Sequence, residues 1–375
     1  MSGPFDIEVG GKARSFRDRL HGLTPARPKP GARRLARLAR RQAEGDTRRK
    51  RTPKEKAARR EFRRLKRAAK QPYFLRVLGV RDIGQRSAAA TMRFLFAWAR
   101  AMGREPASRI AAGVLRTVGP LTKENRIARA NIAAAFPEKN ARERERILSG
   151  SWEALARLGI EYAFLGDLVE AFDENRPTGG VIEHVGIEHA YAFRDAGKAG
   201  IIFGAHIGNF EMTAAIGAKI GLPVVTLFRP PTNPYVAEEM ERRRNQFISK
   251  LIVSGRGAAI EVAAALRSGK HLGIVVDQRI RQGPLIDFLG RPSHSNPIVG
   301  ALARLFECPV IGAHSVRLPG GRYRVEVTPP LVLPRDARGR IDALAVNRMV
   351  HGIVADWVRE APDQWLWQHD RWKTY

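Results

Sequence analysis

His206 and Glu211 stand five residues apart in the stretch GAHIGNFEM, with Gly208 and Asn209 between them. An imidazole can take a proton from an alcohol near neutral pH when a carboxylate accepts one of its ring N–H groups. That contact fixes the tautomer and raises the basicity of the other nitrogen. Gly208 permits a tight backbone, and Asn209 is placed to cap a helix start. Glu211 then falls in the first helical turn, where it is expected to reach back to the ring. A helix-start carboxylate beside a satisfied histidine gives the same spacing, so the elements around the pair have to decide between the two readings.

Those elements alternate. From Gly179 onward short apolar runs such as AGIIFGA, LPVVTLF, HLGIVV, CPVIGAHSV and YRVEV are separated by stretches with helical spacing. This pattern predicts an α/β fold with a mixed, partly parallel sheet flanked by helices. Ligands of such sheets bind at the carboxyl ends of the strands. His206 ends the first of these runs, Arg229 the second and Asp277 the third. Three polar residues thus meet at the edge where a crevice is expected.

The region before Gly179 reads as helical. A helix is predicted from Ser87 to Met102, closed by Gly103 and Pro106, another through ENRIARANIAAAF, and a third from about 141 to 164. In the first, Arg93, Arg100 and Arg104 share a stripe opposite Leu95, Trp98 and Met102. A membrane interface and the protein's own core both fit that helix.

The 375 residues carry a net charge of +29, and residues 1–70 alone hold 24 basic against 7 acidic side chains, or +17. That arm lacks apolar periodicity and reads as disordered, with a helix predicted between Lys54 and Lys70. The remainder, 71–375, reads as a single domain, helical over 73–170 and α/β over 179–375. A basic arm suits anionic lipid or nucleic acid. Its aromatics are limited to Phe5, Phe16 and Phe62, which offers little for base stacking, so no specific nucleic-acid partner is expected. Residues 1–30 contain no apolar signal-like run, and no apolar stretch is long enough to span a bilayer. The single cysteine, Cys308, excludes an intrachain disulfide and reads as a buried structural thiol.

GAHIGNFE, FRPPTNP, VVDQR, DFLGRP and PDQWLWQHDRWK occur in that order, after the upstream RIARANIAAAFPE. Together they resemble the lipid A biosynthesis acyltransferase family of the lauroyl/myristoyl type, over roughly residues 90–373. The resemblance implies a glycerolipid-acyltransferase-like fold and transfer of an acyl chain from acyl carrier protein to a hydroxyl of a lipid A precursor. His206 would be the general base and Glu211 its orienting partner. Arg229, Asp277, Asn209 and Arg242 would bind substrate. No metal or organic cofactor is implied, because the thioester donor is already activated. The implied location is the cytoplasmic face of the cell inner membrane, attached peripherally to an anionic surface. An acyltransferase acting on another acceptor, such as glycerol phosphate or a glycolipid, would use the same chemistry.

Two features have a bland and a functional reading each. Trp357, Trp365, Trp367 and Trp372 suit either interfacial anchoring or core packing. Arg242, Arg243 and Arg244 suit either a solvated helix face or the docking of an acidic carrier or phosphorylated glycolipid.

Overall fold

The computed structural model of the chain describes residues 80–372 except 248, 249 and 256. The basic arm over 1–70 and the helix expected within it lie outside those residues.

Among the described residues five helices come first: α1 (Val80–Met102), α2 (Arg104–Val118), α3 (Lys123–Ala135), α4 (Ala141–Glu161) and α5 (Leu165–Glu170). Their boundaries follow local chemistry. Thr122 caps α3 by accepting the Asn125 amide at 3.3 Å. A reciprocal capping box between Asn140 and Glu143 starts α4. Between α1 and α2 the chain turns at Gly103, whose φ of 92° is readily adopted by glycine alone. Pro106 does not close a helix here as its position suggested. It sits in the first turn of α2, where its missing N–H has no intrahelical partner to lose.

The α/β part follows: β1 (Ile182–Val185), α6 (Ile187–Asp195), β2 (Ile201–Gly204), α7 (Glu211–Lys219), β3 (Val224–Phe228), α8 (Pro234–Arg244), β4 (Lys250–Val253), α9 (Ala258–Arg267), β5 (His271–Val275), β6 (Leu285–Phe288), β7 (Arg291–His294), α10 (Ile298–Phe306), β8 (Val310–Leu318), β9 (Arg322–Val327) and α11 (Ala343–Glu360). Seven strands form one sheet in the order β1-β9-β8-β2-β5-β3-β4, and β6 pairs with β7 in a separate hairpin. β8, β2, β5, β3 and β4 run parallel, whereas β9 lies antiparallel to β8 and carries β1 with it. This is the mixed, partly parallel α/β sheet with a helical N-terminal region that the sequence pattern predicts.

Alternation along the strands divides the core between the two sheet faces. Ile201, Phe203 and Val225 join a cluster with Val299, Val350, Val354 and Trp357 from α10 and α11. Val224, next in line to Val225, faces the other way with Met212 and Ile216 of α7. The four C-terminal tryptophans settle on packing. Trp357, Trp365, Trp367 and Trp372 are 6%, 2%, 0% and 8% exposed, so the interfacial reading of these residues falls. Cys308 is buried as expected, and burial pushes its thiol up to about 11.

Beyond α11 the chain runs back across the carboxyl ends of the central strands. The Gly208 amide donates to the Gln364 carbonyl at 3.0 Å, and the Leu366 amide to the His206 carbonyl at 3.2 Å. Arg371 is fully buried, bonded to the Ser293 and Ser295 hydroxyls at 2.7 Å each and stacked over Phe288. Burial, which outweighs the attraction of the Asp277 carboxylate, lowers its pKa to about 10. Asn131 of α3 clamps this segment by donating to the carbonyls of Trp367, at 3.0 Å, and His369, at 2.9 Å. Two motifs 236 residues apart in sequence thereby meet.

Asn131→Ala leaves the buried Trp367 carbonyl without a donor, while the His369 carbonyl keeps the Arg371 amide at 2.9 Å, a cost of about 1–3 kcal/mol before relaxation. The melting temperature should fall by roughly 3–10 °C. An unchanged melting curve would show that the C-terminal segment is held by other contacts.

Candidate active site

The register of β2 on β5 builds the site. Gly204 lies opposite Val275, and the Val276 amide donates to the Gly204 carbonyl at 3.0 Å. Two residues further along each strand stand His206 and Asp277, so the parallel pairing sets the two side by side. His206 Nδ1 lies 2.8 Å from Asp277 Oδ1, and the His206 backbone amide donates to Oδ2 at 2.9 Å. The Trp365 indole N–H donates to the same oxygen at 2.7 Å.

This arrangement corrects the expected pairing. The ring of His206 is oriented by Asp277, which is 71 residues away in sequence, and not by Glu211. The Glu211 carboxylate is occupied elsewhere, accepting from the Tyr162 hydroxyl at 2.6 Å and from Arg244 through both of its oxygens. Its charge still acts on the imidazole from a distance. Asp277, expected to bind substrate, is 2% exposed with both oxygens engaged by protein donors. It positions His206.

The electrostatics follow. Burial opposes ionisation of Asp277, but the charge of His206 and the three donors around the carboxylate outweigh it and hold its pKa well below the usual range. Burial likewise opposes a charged His206, and the Asp277 carboxylate, aided by Glu211, overcomes that and raises the imidazole above its ordinary value. With Nδ1–H donated to Asp277, Nε2 is left as the acceptor nitrogen of the neutral ring. It faces the Gln278 side-chain amide at 3.4 Å.

His206, Glu211, Arg229, Arg244 and Gln278 line one cleft of about 450 Å³, floored by residues of β2, β3 and β5. On its other side His206 borders a smaller, mainly apolar cleft of about 110 Å³ between α4 and the C-terminal segment, lined by Leu155, Leu158, Phe210, Trp365 and Leu366. Arg229 is exposed and, among the described residues, bonds to nothing, so its guanidinium is available to a ligand.

The two remaining sequence candidates are placed differently from expectation. Asn209 does not cap α7; Phe210 holds that position without a side-chain bond. Asn209 is 1% exposed, and its side-chain Nδ2 donates to Glu161 at 2.9 Å while its backbone carbonyl accepts from the Ser315 hydroxyl. Glu161 is in turn fixed by Arg317 at 2.7 and 2.8 Å. Asn209 therefore anchors the turn after His206 and is closed off from substrate. Gly208 completes the turn at φ 57°, where an added Cβ would come within 2.0 Å of the Ser315 carbonyl oxygen. Arg242 does not line the cleft; it pairs with Glu239 one turn back on α8. Helical rotation parts the three arginines. Arg243 stacks over Phe96, and Arg244 alone reaches the cleft. Tyr162 and Gln278 were not singled out from sequence, although Gln278 lies inside the VVDQR motif; Arg244 was read there only as part of the arginine run, and Trp365 only as one of the C-terminal tryptophans.

A model of the family described as bacterial lipid A biosynthesis acyltransferase matches residues 83–374. The chain is 22% identical to a lipid A biosynthesis acyltransferase of Haemophilus influenzae over 254 residues, covering 67% of this chain and 76% of that protein. It is 24% identical to the lipid A biosynthesis palmitoleoyltransferase of Escherichia coli over 267 residues, covering 68% of this chain and 80% of that protein.

If Asp277 is what raises the imidazole, Asp277→Asn should leave burial as the dominant influence. The His206 ring, followed by NMR, should then titrate below the ordinary histidine value in place of above it. An unmoved midpoint would transfer the orienting role to another group.

Proposed function

The chain belongs to the bacterial lipid A biosynthesis acyltransferase family, and from that premise we propose that it carries a fatty acyl chain from acyl carrier protein to a hydroxyl of a lipid A precursor, with His206 as general base. The observation that carries this reading is the His206 ring itself, tied at Nδ1 to a buried carboxylate and presenting Nε2 at a cleft large enough for a ligand.

The acceptor hydroxyl gives its proton to Nε2 as its oxygen attacks the thioester carbonyl. The new C–O bond leaves a negative charge on the former carbonyl oxygen. Gln278 and Arg229 supply donors in the same cleft for that charge. When the intermediate collapses, the C–S bond breaks, the ester remains on the lipid, and the carrier's thiolate takes the proton back from His206. Asp277 keeps its charge throughout and stabilises the imidazolium. Glu211 acts at one remove, by holding Arg244 in the cleft wall and by adding its negative charge near the ring.

Among the described residues no helix is long and apolar enough to cross a membrane. The acceptor is a lipid, and the chain is strongly basic. The proposal therefore places the protein peripherally on the cytoplasmic face of the inner membrane, drawn to anionic headgroups.

The test is transfer from a panel of acyl carrier protein thioesters to a lipid A precursor, read by mass spectrometry. Wild type should add one acyl mass, and His206→Ala should lose about 10²–10⁴-fold of the rate with its fold intact. Glu211→Gln should also slow turnover strongly. A fully active His206→Ala would remove the base assignment. Transfer to glycerol phosphate or another glycolipid, and none to the lipid A precursor, would move the proposal to a different acceptor.

A further inference from the structure

α2 has two unlike faces. Toward α4 it presents Ala107, Ser108 and Ala112, all buried. Away from it stand Ile110, Val114 and Val118, four residues apart on one stripe and 48%, 53% and 50% exposed. Leu121, just beyond the helix, is 85% exposed. α1 adds Phe94 at 68% and Leu95 at 45%. The outer face of a helix on a water-facing protein is normally polar, and exposed apolar side chains concentrated in neighbouring elements mark an interaction surface.

The surrounding charge indicates what that surface meets. Between residues 80 and 130 there are ten basic side chains and three acidic. Arg109 and Arg116 are exposed on another side of α2 from the stripe, where they pair with Glu105 and Glu153, and Arg93 of α1 is exposed without an ion pair among the described residues. An exposed apolar stripe in a strongly basic helical region is the composition of a surface lying in a membrane interface, with its aliphatic side chains below the headgroups and its cations among the phosphates. Helical packing links this surface to the chemistry. α1 rests on α8 through the Tyr235 hydroxyl bonded to Asp82 at 2.7 Å and the Asn233 amide bonded to the Gln85 carbonyl at 2.9 Å. α8 ends in Arg244, which lines the cleft.

We propose that the outward stripe of α2, with Leu121 and the exposed apolar side chains of α1, is the surface by which this protein docks on an anionic lipid bilayer. This deepens the peripheral-membrane reading above and rests on it. The sequence offered only the α1 part of this surface, where a membrane interface was one of two readings; α2 was hidden behind Gly103 and Pro106.

The test uses the full chain with vesicles of phosphatidylcholine, with and without phosphatidylglycerol. Wild type should partition onto the phosphatidylglycerol vesicles, and the double variant Val114→Asp/Val118→Asp should bind about tenfold or more weakly. That variant should turn over detergent-dispersed acceptor at the wild-type rate, which also shows that it is folded. In an independent measurement, Val118→Cys labelled with an environment-sensitive fluorophore should shift its emission to the blue on those vesicles. Unchanged partitioning of the double variant with no emission shift would overturn the proposal. So would a change from dimer to monomer with vesicle affinity intact, which would assign the stripe to a second copy of the chain. Loss of vesicle binding in a protein whose wild type transfers to no acceptor would uphold the surface and refute the reaction instead.

Discussion

Burying the Asp277 carboxylate at the end of a parallel strand is unfavourable unless its oxygens meet donors, and the site is organised around meeting that requirement. The donors are the ring of His206, the His206 amide and the indole of Trp365. The first two exist because β2 and β5 pair in a register that brings residues 206 and 277 abreast. The third exists because the segment after α11 folds back over the strand ends, held by Asn131, Arg371 and the buried tryptophans. A shift in either would leave a charged group in the core with too few partners. The same requirement keeps His206 in one tautomer and one orientation, with Nε2 toward the cleft.

Three buried acids surround the turn that carries His206, and each does a different job. Asp277 holds the ring. Glu161, bound to Arg317, holds Asn209 and so the backbone that follows the ring. Glu211 holds Arg244 in the cleft wall and accepts the Tyr162 hydroxyl. Because the acids paired with Arg317 and Arg244 form ion pairs with little exposure, removing one member of a pair would strand the other. This division gives the helix-start carboxylate five residues from His206 a structural role that needs no contact with the ring.

Much of this was legible in the chain. Apolar runs ending in His206, Arg229 and Asp277 located the crevice, and strand–helix alternation gave the fold class. What the sequence withheld depends on contacts distant along the chain. Glu211 is the nearer carboxylate in sequence, but strand register delivers Asp277, and no local spacing encodes register. Asn209 has an N-cap's chemistry, yet its side chain is turned to Glu161, 48 residues earlier, through its Nδ2 donor, and α7 is entered through Phe210 instead. The arginine run on α8 could be parted only once the helix had neighbours. α2 was missed because a glycine and a proline close together read as a stop, whereas here they mark a turn and a first helical turn.

The central claim is that His206, tuned by Asp277, removes the proton from the acceptor hydroxyl. Its most direct test is the pH dependence of kcat/KM for transfer to the lipid A precursor, compared between wild type and Asp277→Asn. A base must be unprotonated to act, and its pKa is raised in the folded protein, so the wild-type rate should fall on the acid side with a midpoint above the ordinary histidine value. The variant should show a lower plateau and a midpoint moved to lower pH. The same midpoint in both proteins would mean that a group other than the His206–Asp277 pair controls proton removal.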